Sequence, residues 1–160
     1  MNTYDRLFGS GPRGIGISLA LFAIAWRAKA HLGWPAIIDS DVLRWTVFAT
    51  SLIAAAGLAA WSFMSLPIAS RGVILVTRGP YRYVRHPLYA ALLSCFNLGL
   101  AVLLNNWIYL LWVAALHGVW HRIIRREEKL MTQAFPEQYP DYCRTTGRFF
   151  PRIPLLSYGP

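Results

Sequence analysis

Four apolar stretches constrain this chain more than any other feature, because each approaches the roughly 20 residues that a helix needs to cross a hydrocarbon layer about 30 Å thick. The first runs from Ile15 to about Gly33; its uncharged part ends at Trp26, so Arg27 and Lys29 must reach back to the interface. The second, Val42 to Leu66, carries Arg44 near its start and stops at Pro67, and the third, Pro87 to Leu104, has no charge. The fourth, Trp107 to Ile124, continues without a breaker through RREEKLMTQAF, which predicts one helix that leaves the membrane and projects into water. Asn105-Asn106 alone separates the third from the fourth, so these two form an antiparallel hairpin.

Composition agrees. Charged residues are 14% of the 160, against about 25% in soluble domains, and a soluble fold of this size could not hide so much apolar surface. The expectation is an all-α polytopic membrane protein: one domain over 1–160, four transmembrane helices, a polar loop and a polar C-terminal segment. Two cysteines, Cys95 and Cys143, without a CxxC pair exclude a disulfide scaffold.

The net charge of +9 raises nucleic acid as a partner, but the cations form no continuous stripe along the chain. They follow the spans instead. With the N-terminus inside, 13 of the 16 Lys and Arg are cytoplasmic, from Arg6 and Arg13 through Arg71, Arg78, Arg82 and Arg85 to the C-terminal group, and only Arg27, Lys29 and Arg44 lie outside. Both termini are therefore expected in the cytoplasm, with anionic lipid rather than nucleic acid meeting the positive surface. The run after Arg13 and the tripeptide Ala28-Lys29-Ala30 also have the pattern of a secretory signal; the reading adopted is a retained first span. Small residues four apart, Gly16/Ala20 and Ala56/Ala60, would allow close helix packing, a spacing that membrane helices often show by chance.

Polar information is concentrated in Arg71 to Tyr89 and Arg122 to Pro154. The first contains TRGPYRYVRHPLY: a Gly79-Pro80 turn, three Arg within eight residues, three Tyr, and His86 before Pro87, which suits a helix start. Such a basic, aromatic turn can hold a carboxylate and stack a flat ring, or simply sit at the interface as an aromatic belt. On the third helix His86, Tyr89, Leu93 and Asn97 share a face at i, i+3, i+7 and i+11, which turns Asn97 into the bundle. On the fourth, His117, His121, Arg125 and Glu128 share another. His117 and His121 have metal-ligand spacing, but no third or fourth ligand is evident and no metal is expected. Glu127-Glu128 follows Arg125-Arg126 and, taken alone, reads as a solvated salt-bridge surface.

The two segments together resemble the integral-membrane methyltransferases of the isoprenylcysteine carboxyl methyltransferase type, related to phospholipid N-methyltransferases. The resemblance covers about Thr77 to Pro154, and Ala91, Met131 and Pro136 depart from its pattern. It implies S-adenosylmethionine as cofactor and a hydrophobic or lipid-like acceptor drawn from the bilayer. It further implies that Gly79, Pro80, Tyr81, Arg85, His86 and Tyr89 form the cofactor loop and that Glu127 and Glu128 face the same molecule. Tyr139, Tyr142, Arg144 and Arg148 then cover the site, and with Asn97 contact the acceptor, while Arg125 and His121 are the expected catalytic side chains. The residue types suit the ligand, which needs a cation for its carboxylate, an anion for its ammonium and an aromatic slot for its adenine. Arg82 or Arg85, Glu127 or Glu128, and Tyr81 or Tyr89 supply these, and Glu128, on one face with His117, His121 and Arg125, is the expected partner of the ammonium. A sterol-reductase-like enzyme using NADPH and a non-catalytic membrane protein are the rival readings.

Overall fold

The computed structural model describes residues 11–67, 70 and 72–152. Arg6 and Arg71, counted above among the cytoplasmic cations, and Pro154, at the end of the resemblance, lie outside the described residues. Among the described residues, four helices are long and apolar enough to cross a membrane: α1 (Gly11–Leu32), α2 (Asp41–Ser65), α3 (Pro87–Leu104) and α4 (Trp107–Ala134). A short α5 (Gln138–Thr145) follows. Among the described residues there is no strand, only an isolated parallel bridge between Val84 and Gly147.

The boundaries have local causes. Ser40 caps α2 by accepting from the Leu43 amide at 3.3 Å, and Pro67 follows its end. Pro87 opens α3, where its missing N–H costs nothing. Asn105 ends α3 in the left-handed conformation (φ 53°), and Asn106 caps α4 by accepting from Ile108 N at 3.1 Å. The same two amides fasten the α1–α2 connection. Asn105 Oδ1 accepts from Ile37 N (2.8 Å) and Ile38 N (2.9 Å), its amide donates to Ile38 O (2.8 Å), and Asn106 Nδ2 donates to Trp34 O (3.0 Å).

α3 packs against α2 and α4, and α1 lies on α4. Close approach is set by Gly14 and Gly99: a Cβ on Gly14 would come within 2.4 Å of Trp120, and one on Gly99 within 2.4 Å of Ser51 Cβ. The predicted pairs do not serve this purpose, since Gly16, Ala20, Ala56 and Ala60 are all exposed. Small-residue spacing marks a face that could pack, but not which face meets a neighbour. Most of the apolar surface of α1 and α2 faces outward, with Ile24 at 64% and Ile53 at 71% exposure, as lipid contact requires.

Sequence periodicity gave no sign of the π-helical turn over Ala91–Phe96 within α3. Its wider turn shifts the register, so the regular face from His86 to Asn97 does not continue as drawn. His86 and Leu93 are buried, whereas Asn97 is half-buried beyond the π turn. At 1.5 Å per residue Asn97 lies about 16 Å along the helix from His86.

Candidate active site

α4 has 28 residues, or about 42 Å, so its last turns extend beyond a 30 Å core. That extension carries Glu127 and Glu128 beside the start of α3, and the segment after α5 folds back over both. Gly79 lets the turn before α3 lie against the end of α2: its φ is +61°, and a Cβ there would strike Ser65 Oγ at 2.3 Å. Residues 79–82 form one 3-10 turn, after which Arg85 N donates to Gly147 O (2.8 Å) and His86 N to Arg148 O (3.1 Å). Two stretches 62 residues apart thus run side by side, which delivers Arg85, His86 and Arg148 to one point.

That point is Glu128, whose side chain is 12% exposed. Arg85 reaches Oε1 through Nε (3.1 Å) and Nη2 (2.8 Å); Arg148 reaches Oε1 through Nε (3.1 Å) and Oε2 through Nη2. His86 Nε2 lies 3.4 Å from Oε1. The remaining donors are also engaged. Arg85 Nη1 donates to the carbonyls of Thr146 and Cys143, and Arg148 Nη1 lies 3.0 Å from His121 Nδ1 and donates to His121 O at 3.1 Å. Beside Glu128 the Arg85 pKa is raised although burial works against its charge.

Glu127 is placed differently. It is 27% exposed, accepts from the Tyr89 hydroxyl at 3.3 Å, and lies 3.8 Å from His86 Nδ1. The Tyr89 ring stacks near His86 (5.8 Å) and packs on Trp120 (4.7 Å), so an aromatic wall stands next to this carboxylate. Phe149 closes the other side, with its ring 6.3 Å from His86, 6.0 Å from His117 and 4.8 Å from His121. Tyr142 donates to the Tyr81 carbonyl and Tyr139 is buried; burial pushes both phenols well above their ordinary pKa and keeps them neutral.

The structure brings together Tyr81, Arg85, His86, Tyr89, Glu127, Glu128, Tyr139, Tyr142 and Arg148, and it places Arg82, Arg125 and Arg144 in solvent. Arg125 is exposed on the outer side of α4 and outside the cluster, because its position at 100° per residue falls at the edge of the face it was assigned to. Arg144 is exposed and pairs only with Asp141, 3.6 Å away and three residues back on α5. Arg148, expected to hold the acceptor, is engaged by Glu128 and His121. An arginine N–H can only donate, so the His121 nitrogen facing it is the lone pair and is not available to take a proton. Arg82 is exposed beside the cluster. Trp120 was not singled out as a site residue, and no spacing in the sequence could have placed its ring or that of Phe149 against a histidine or tyrosine on another helix.

A family profile described as phospholipid methyltransferase matches residues 42–138. The cobalt-zinc-cadmium resistance protein CzcN of Cupriavidus metallidurans is 39% identical over 82 residues, 51% of this chain and 37% of that protein. The nickel-cobalt-cadmium resistance protein NccN of Alcaligenes xylosoxydans xylosoxydans is 40% identical over 86 residues, 51% of this chain and 38% of that protein. The match thus spans less than two-fifths of the length of either relative.

Proposed function

This chain belongs to the phospholipid methyltransferase family, and from that premise we propose that it transfers a methyl group from S-adenosylmethionine to a hydrophobic or lipid-like acceptor bearing a carboxyl, thiol or amine. The observation that carries the reading is the contrast between the two adjacent glutamates. Glu128 is saturated by Arg85 and Arg148, whereas Glu127 is partly exposed between the Tyr89 hydroxyl and His86. Glu128 was the expected partner of the cofactor ammonium, but a carboxylate already held by two guanidiniums has no room for another cation. Glu127 is therefore the proposed partner of the cofactor ammonium, and the exposed Arg82 the proposed partner of its carboxylate.

The residues fit such a group: one partly exposed carboxylate, one exposed guanidinium, and the half-buried Tyr89 ring as an aromatic wall. When bound, S-adenosylmethionine supplies an electrophilic methyl on a sulfonium centre whose charge disperses as a nucleophile attacks. The chain's own contribution is orientation and dryness. Arg85, Glu128 and Arg148 hold the segment around Phe149 against the helices, and the neutral Tyr139 and Tyr142 fill the space behind it. The proposed topology puts both termini and the 71–89 loop in the cytoplasm, so the cofactor enters from water and the acceptor from the bilayer.

The names of the two relatives attach those proteins to metal resistance. Among the described residues no three His, Cys, Asp or Glu side chains gather as metal ligands, and the proposal for this chain is an organic acceptor. Thermal unfolding of the purified protein with S-adenosylhomocysteine and with NADPH tests the reading. At 100 times its dissociation constant the first should add about 2.7 kcal/mol, and the second nothing. The reverse order would move the chain to the reductase reading.

A further inference from the structure

On the extension of α4 the cations and the acids occupy different sides. Arg122, Arg125 and Lys129, at i, i+3 and i+7, form one exposed stripe on the side away from the buried Leu116, Trp120 and Ile124. Among the described residues none of the three is paired with an acid, while Glu127 and Glu128 turn inward to His86 and the arginines. The stripe begins where the apolar part of the helix ends and spans seven residues, about 10 Å. A headgroup layer is roughly 5–7 Å deep on each side of the hydrocarbon, so Arg122 and Arg125 start within it and Lys129 reaches back to it along its long side chain. Above the stripe the same side continues into exposed Leu111, Ala114, Ala115 and Gly118, an apolar surface at acyl-chain depth.

We propose that this side of α4 binds an anionic diacyl phospholipid, with its phosphate on Arg122, Arg125 and Lys129 and an acyl chain along Leu111 to Gly118. Charge complementarity selects the occupant. Three unpaired cations at headgroup depth attract a net negative headgroup and discriminate against a zwitterionic one, and the apolar surface directly above them matches acyl chains rather than a soluble polyanion.

The test is native mass spectrometry of the purified chain released from micelles containing equal amounts of dioleoyl phosphatidylglycerol and dioleoyl phosphatidylcholine. Phosphatidylglycerol should be retained preferentially, and the preference should weaken as salt rises. Each cation removed should weaken retention about fivefold, and the triple substitution R122Q/R125Q/K129Q roughly a hundredfold. Arg27→Gln, at the other end of the bundle, should leave retention unchanged. If the triple variant does not fold, Lys129→Gln alone still reads the fivefold step. Equal retention of the two lipids, or unchanged retention in Lys129→Gln, overturns the proposal. Displacement by soluble glycerol phosphate at equal concentration would assign the stripe to free phosphate. A dimer that the substitutions dissolve, without any lipid preference, would assign it to a second copy of the chain; either result also overturns the proposal. Because the readout is lipid mass, it is independent of the methyl-transfer reading.

Discussion

The two ends of this bundle are fastened by opposite chemistry. At one end Asn105 and Asn106 tie the α1–α2 connection to the α3–α4 turn through neutral amides; Asn105 Oδ1 and Ile37 N are 68 residues apart. At the other end Arg85 and Arg148 close on Glu128 across 43 and 20 residues. Amides carry no ionic desolvation penalty and bond the backbone directly, so the first clasp is pure architecture. Buried charges are costly to desolvate and strongly destabilising when one partner is removed. Buried charge therefore concentrates where a zwitterionic ligand is proposed to bind, whereas at the far end Arg44, paired with the exposed Asp41, adds only one bond, to Leu103 O, beside the amides.

The comparison breaks most visibly at Glu128. Glu128→Gln leaves two arginines facing one neutral amide and should lower stability by about 3 kcal/mol, at the low end for a buried pair because the side chains are 10–22% exposed. Denaturant unfolding in micelles measures this, and a loss under about 1 kcal/mol would make the charged clasp a surface feature. Asn105→Ala removes three hydrogen bonds and places alanine at φ 53°, for an expected loss of about 2–3 kcal/mol. Asn105→Gly tolerates that φ but not the bonds, so partial recovery in glycine separates backbone strain from the clasp itself.

Glu127→Gln sharpens the contrast between neighbours. It should leave stability nearly unchanged while cofactor affinity falls about 10- to 150-fold, the equivalent of roughly 1.5–3 kcal/mol, measured by titration with S-adenosylhomocysteine. Equal affinity in this variant would remove Glu127 from the proposed site. At the small end, Arg144→Ala breaks only an exposed pair with Asp141 and should change neither unfolding nor binding measurably.

The helices were legible in the sequence because each is written over about 20 residues and ended by strong local signals, Pro67 and Asn105-Asn106 among them. Composition alone finds such segments, and the continuation of α4 past Ile124 followed from the absence of any breaker. The pairings were not legible. Nothing local links Arg85 to Glu128, and family likeness nominated both without saying that they would neutralise each other. Helical spacing put Arg125 and Glu128 together, yet a 60° difference around α4 is enough to leave one in solvent and the other among arginines. The π turn at Ala91–Phe96 escaped because its apolar residues suit an α-helix equally well.

The unbroken course of α4 from the Asn106 cap to Phe135 makes it a rigid rod with one end at the far turn and the other bearing the paired glutamates. Glu128 is 22 residues from that cap, about 33 Å along the axis. A 10° change of tilt about the cap carries it sideways by roughly 6 Å, and tilt is how a spanning helix accommodates a thinner bilayer. With no joint along the rod, any such tilt acts in full on the ion pairs that hold Glu128 to Arg85 and Arg148.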